Sequence, residues 1–205
     1  MLVLDVRRKP KSDELVLIQF DSDFILETTY ELALKFGLKK GLSISSEKFQ
    51  QVKLASEMAL ALRQALSYLS RRIHTQKELS IKLQKKGFST EAIEATTKQL
   101  HARGILNETA YAETFIESRK RKLLGTKKLS YELKQRGVAP EAIATALRST
   151  DYEEPTLCRQ AAEKKFRLLQ HVEDKQKLKQ KLCAHLMRKG FAWEHIAEAL
   201  AELGV

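Results

Sequence analysis

The sequence predicts a mainly α protein: an elongated tandem array of three-helix repeats preceded by a small β-containing N-terminal segment. The first observation behind this is a repeat. The stretch TQKELSIKLQKKGFSTEAIEATTKQL, from Thr75 to Leu100, returns twice. A shift of fifty residues carries Leu79, Leu83, Gly87, Phe88, Glu91 and Ile93 onto Leu129, Leu133, Gly137, Val138, Glu141 and Ile143. A further fifty-three reaches Leu182, Leu186, Gly190, Phe191, Glu194 and Ile196. Amphipathic helix pairs often look alike, but agreement of this extent favours a true repeat. The second observation is that the first 56 residues differ in texture from everything after them.

In residues 1–56, Leu2 to Arg7 and Leu15 to Phe20 are strand-like apolar runs joined by KPKSDE, and Phe24 to Leu26 offers a third short strand. A small antiparallel sheet is expected. Thr28 or Thr29 starts a short helix through Leu32 and Phe36 that stops at Gly37. Ser46 and Glu47 start another, with Phe49, Val52 and Met58 on its apolar side.

The first repeat, 57–104, opens with a helix from about Leu60 to Arg72 whose apolar side carries Leu62, Leu66 and Leu69. Thr75 and Glu78 have the spacing in which each side chain satisfies a free backbone N–H of the other at a helix start. Leu79 and Leu83 then share a face, and Gly87, free to take the left-handed conformation, ends the helix. Ser89 caps the next helix, Glu91 suits its positive end, and Ile93 and Leu100 extend the apolar stripe. The second repeat, 105–150, begins at Asn107, carries Tyr111 and Phe115 on one face, and has Pro140 at a later helix start. The third, 151–205, begins near Glu154 and Pro155. A unit of about fifty residues buries little apolar surface alone, so stacking on neighbours is the expected source of stability.

Composition narrows the function. Hydrophobic residues make up 43% of the 205, ordinary for a soluble globular chain. No apolar run approaches the roughly 18 residues that span a bilayer. MLVLDVRRKPKSDE places its charges after a short apolar run, unlike a secretion signal, so a cytoplasmic monomer without membrane contact is expected. Cys158 and Cys183 read as reduced side chains rather than a disulfide. GLKKG at Gly37 to Gly41 lacks the Lys-Ser pair of a phosphate loop. Cys183, His185 and His195 fall short of the ligand set of a structural zinc site. With no nucleophile motif either, the sequence predicts no catalytic residue, no cofactor and no metal.

Charge is the remaining signal. The net charge is +11, and between Arg71 and Arg136 sixteen Lys and Arg face seven Asp and Glu, leaving +9. The best cluster is Arg119, Lys120, Arg121 and Lys122, followed across Gly125 by Lys127 and Lys128. A helix C-terminus favours one or two cations through its dipole but does not require six. Arg71, Arg72, Lys77, Lys85, Lys86 and Arg136 complete the candidate partner surface. Lys164, Lys165, Lys175, Lys177, Lys179 and Lys181 rank second, because acids reduce the net charge to +3 from Glu154 onward.

The region from about Leu60 to Leu200 resembles the RecX family. The resemblance is carried by ALSYLSRR (Ala65 to Arg72), KEL (Lys77 to Leu79), KKGF (Lys85 to Phe88), ILNETAYAE (Ile105 to Glu113) and ELKQRG (Glu132 to Gly137). Two repeats match closely and the third more loosely; Asn107 stands where an aspartate is more usual, and both cap helices. The resemblance implies a non-enzymatic regulator that lies on the RecA filament on single-stranded DNA. It also implies that filament growth and the ATPase, strand-exchange and coprotease activities of RecA are limited. DNA, single- or double-stranded, is a further expected partner. The rival readings are a sequence-independent nucleic-acid-binding module and a passive scaffold.

Overall fold

A computed structural model describes residues 1–205 as three strands and ten helices. Two compact units divide the chain, Met1–Leu106 and Asn107–Val205.

The first unit opens with strands β1 (Val3–Arg8), β2 (Leu15–Phe20) and β3 (Ile25–Thr29), antiparallel in the order β1-β2-β3. The register shifts between Val3, opposite Phe20, and Asp5, opposite Gln19. The third strand starts one residue later than the sequence suggests and runs on to Thr29. Phe24 instead sits at the turn and meets Phe49 edge-on at 5.5 Å. Helix α1 (Tyr30–Lys35) is capped by the Thr29 hydroxyl, which accepts from the Leu32 N–H at 3.2 Å. Val3, Val16, Ile18 and Phe20 are at most 3% exposed and pack with Phe49 and Val52 of helix α2. Buried aliphatic and aromatic side chains of this size stabilise by about 1.5–3 kcal/mol each.

Helix α2 spans Ser46–Leu69 without a break. The sequence suggests two helices, one reaching Met58 and the next starting at about Leu60, but Glu57-Met58-Ala59-Leu60 are all good helix formers and nothing among them ends a helix. One helix therefore serves both the sheet and the first three-helix repeat. The Ser56 hydroxyl, buried, donates to the Val52 carbonyl at 2.7 Å and bonds Thr28 Oγ1 at 2.8 Å, tying α2 to β3. Of the apolar side expected on Leu62, Leu66 and Leu69, Leu62 and Leu69 are partly buried against the first repeat's core and Leu66 is 39% exposed, while Ala61 and Ala65 are fully buried. Ala65 packs in one cluster with Ile93 and Leu100 of α4 (Thr90–Ala102), where a small side chain permits close approach of the two helices.

The repeats are alike in detail. Helices α3 (Gln76–Gln84), α6 (Thr126–Gln135) and α9 (Lys175–Lys189) each bury two leucines at 0% exposure. These are Leu79 and Leu83, Leu129 and Leu133, and Leu182 and Leu186. Each helix closes on a glycine with φ between 82° and 89°, and the following residue donates back to the second leucine at 3.1–3.3 Å. This is the left-handed closing turn that the glycine permits. Helices α4, α7 (Pro140–Ser149) and α10 (Trp193–Glu202) follow, each packed on the first helix of its repeat, α2, α5 (Glu108–Lys120) or α8 (Glu154–Arg167). No helix of the protein is long and apolar enough to cross a membrane.

Candidate functional site

Each repeat satisfies the start of its third helix in the same way. A glutamate near the start or along the first helix accepts from the backbone N–H of the residue before the third: Glu57 from Ser89 at 2.6 Å, Glu108 from Ala139 at 2.9 Å and Glu154 from Ala192 at 3.3 Å. Ala139 and Ala192 have no side chain able to cap, so the distant carboxylate supplies the acceptor and charge that a helix N-terminus favours. Glu154 does more, since it also accepts from the Thr126 N–H at 3.1 Å and the Thr126 hydroxyl at 2.7 Å. One buried carboxylate thereby holds the starts of α6 and α10, joining the second repeat to the third.

The two repeats also touch through backbone. The Gly125 N–H donates to the Lys189 carbonyl at 2.8 Å, and the Lys127 N–H to the Gly190 carbonyl at 3.2 Å. A Cβ on Gly125 would overlap the backbone of Gly190 and Phe191, and one on Gly190 would overlap Lys128. Glycine is needed at both positions for the approach, and at Gly190 also for its φ of 85°.

Against this frame the candidate basic residues separate into two kinds. Of the run Arg119 to Lys122, the first two lie in the last turn of α5 and turn inward. The Arg119 guanidinium lies 4.7 Å from the Phe115 ring centroid and pairs with Glu132 at 3.5 Å. Lys120 pairs with Glu117 at 2.6 Å and donates to the Thr150 carbonyl at 3.0 Å. The Arg136 guanidinium lies 5.1 Å from the same Phe115 centroid and donates to the Tyr111 hydroxyl at 3.1 Å. These three cations serve the second repeat's own packing, where aromatic faces and carboxylates hold them. Arg121, Lys122 and Lys127 are exposed, and Lys128 is half-buried near Tyr131.

In the first unit, Arg71, Lys77, Lys85 and Lys86 are exposed at the ends and outer side of α3. Arg72 is drawn into the helix start, pairing with Glu78 at 2.9 Å and donating to the Ile73 carbonyl at 3.0 Å. The Thr75 hydroxyl accepts from the Glu78 N–H at 3.1 Å, as the spacing predicts. Cys158 is fully buried and Cys183 half-buried, and both are free thiols. Burial, with Glu154 and Glu198 nearby, pushes the Cys158 thiol up to about 12.

Lys189 is not singled out by sequence, and His185 is weighed there only as a metal ligand. Lys189 lies 67 residues from Lys122, yet its ammonium donates to the Lys122 carbonyl at 2.6 Å and the Leu123 carbonyl at 3.0 Å. Leu123 itself has φ 50°, a left-handed conformation that costs a non-glycine residue about 1–2 kcal/mol. Its side chain packs against the core of the third repeat, and the Tyr152 hydroxyl donates to the next carbonyl, that of Leu124, at 2.5 Å. No local pattern marks these partners; the repeat itself is the only signal that would have placed α9 beside the α5–α6 turn.

Comparison with known proteins assigns all three repeats. Models of the first, second and third three-helix domains of RecX match residues 61–100, 107–147 and 151–200. The regulatory protein RecX of Caldanaerobacter subterraneus is 30% identical, the match covering 98% of each chain. That of Prosthecochloris aestuarii is 38% identical over 72% of this chain and 96% of its own. A crystal structure of regulatory protein RecX shares the fold at a TM-score of 0.79, with 22% identity and 98% of each chain covered. A RecX structure from Lactobacillus salivarius aligns with a TM-score of 0.66 at 24% identity, over 73% of this chain and 98% of that one. With three successive domain matches and near full-length relatives, the chain belongs to the RecX family of regulatory proteins.

Proposed function

We propose that the protein is a non-enzymatic regulator that binds the RecA filament on single-stranded DNA, limits its extension and inhibits the recombinase, ATPase and coprotease activities of RecA. The observation that carries this reading is the uninterrupted succession of three RecX domains in one chain. Like modules repeated along a chain offer like surfaces at intervals, which suits a polymer of identical protomers. Arg121, Lys122 and Lys127, with Arg71, Lys77, Lys85 and Lys86, are the exposed cations that supply attraction to acidic protein surface or phosphate. Arg119, Lys120 and Arg136 are assigned to packing instead. Hydrolysis of ATP by RecA on single-stranded DNA, followed as the protein is added, tests the proposal. Progressive inhibition, with tighter binding to RecA-coated than to bare DNA, is expected. Tight binding to bare DNA without inhibition would favour the second reading, a sequence-independent nucleic-acid-binding module, which the basic character of the first and second repeats supports.

A further inference from the structure

Between the α5–α6 turn and helices α8 and α9 lies an open cavity of about 280 Å³. Six basic side chains line it: Arg121 and Lys122 from the turn, Lys164 and Lys165 from α8, and His185 and Lys189 from α9. The rest of its lining is apolar, from Leu123, Ala161 and Leu168, and no carboxylate contributes. Elsewhere in the same unit cations are matched at close range, as Arg119 is by Glu132 and Lys177 by Asp174. Here no carboxylate lines the cavity, and the acceptors are two backbone carbonyls, both taken by Lys189. Burial, then Lys189, Lys165 and Arg188, hold the His185 imidazole below its ordinary range, and burial with Lys164 lowers Lys189. Both shifts have the direction expected where positive groups gather without counter-charge.

We propose that this cavity is a binding site for closely spaced phosphoryl groups, the chemistry shared by a nucleoside triphosphate and by consecutive phosphodiesters of a nucleic-acid strand. Five lysine and arginine cations around so small a volume match several negative charges on neighbouring atoms, which carboxylates strung along a peptide do not provide. Arg121 offers a planar fork for two phosphoryl oxygens, while Lys122 and Lys164, both exposed, offer mobile point charges. Lys189 has two of its N–H groups on the Lys122 and Leu123 carbonyls, which fixes its ammonium at the site. The strained turn at Leu123 and the glycine contact between Gly125 and Gly190 hold the two walls together, so the cluster exists before any ligand arrives. This site acts in the protein alone and does not rest on binding to RecA.

Calorimetric titration of the full-length protein with tripolyphosphate at constant ionic strength tests it, without RecA present. Saturable binding is expected, weakened on the order of tenfold or more by Lys122→Gln with Lys164→Gln. The equally exposed pair Lys39→Gln with Lys40→Gln, in the other unit, should leave it unchanged. Proton NMR adds a local readout: bound anion stabilises the imidazolium, so the titration of His185 should move to higher pH. A short single-stranded oligonucleotide separates the sources. Competition with tripolyphosphate identifies a strand as the ligand, and its absence identifies a free polyphosphate. No saturable binding of tripolyphosphate, equal weakening by both lysine pairs, or an unmoved His185 would overturn the assignment and leave the RecA proposal standing.

Discussion

Replacing Glu154 by alanine removes the one carboxylate that begins two helices at once. Three bonds go: the Thr126 and Ala192 N–H groups and the Thr126 hydroxyl lose their acceptor. Neither Gly125 nor Ala192 carries a side chain that caps, so the α6 and α10 starts have no substitute. Losing a cap costs about 1 kcal/mol at each helix, and an unmet hydroxyl adds roughly 1 more. Relief of burying the carboxylate, only 8% exposed, offsets part of this, leaving an expected loss of about 2–3 kcal/mol. Trp193, the single tryptophan, opens α10 and reports on this unit during urea unfolding. Glu194→Ala is the control, an exposed first-turn residue of the same helix, worth under about 1 kcal/mol. If the two variants unfold at the same urea concentration, the joining role of Glu154 is wrong.

Further outcomes follow from the same unit. Gly87→Ala and Gly190→Ala share a left-handed φ near 85–89°, but space around Gly87 is open while Gly190 abuts Lys128, so G190A should lose about 1–3 kcal/mol more than G87A in urea melts. Equal losses would contradict the close approach of the two repeats. Burial raises Tyr152 from 10.0, and Cys158 from 9.0, each to about 12, Glu154 adding to both. A native value above the unfolded one means that the contribution is intact below pH 9 and disappears as pH rises toward 12. Thermal melts should therefore weaken across that alkaline window, and in native protein at pH 8 a thiol reagent should label Cys183 and spare Cys158. Rapid labelling of both would place Cys158 outside the core.

Much of the fold was legible because it is written locally. Thr75, Ser89 and Asn107 cap helices that their own side chains begin, and Gly87, Gly137 and Gly190 close helices through a conformation few other residues take. Leu79 and its five equivalents were placed in the core by spacing alone. What depended on distant partners was not legible. The glutamates that cap from another helix look, in sequence, like solvated surface, and spacing alone does not mark Ala61 and Ala65 as more deeply buried than Leu66 beside them. The basic surface divides for the same reason. A run of four cations gives no hint that Arg119 and Lys120 fold back on Phe115 and Thr150 while Arg121 and Lys122 stay exposed beside α8 and α9.

The measurement that bears most directly on the proposed regulation of RecA is inhibition of its ATPase on single-stranded DNA by a charge-reversed variant. Arg121→Glu, Lys122→Glu and Lys127→Glu together take the net charge from +11 to +5 and alter exposed side chains only. Circular dichroism should show an unchanged helical protein. Inhibition should need on the order of tenfold more variant than wild type, and wild-type inhibition should weaken as salt rises. A folded variant that inhibits at wild-type concentrations, or a wild-type protein that leaves RecA hydrolysis untouched, would contradict the account.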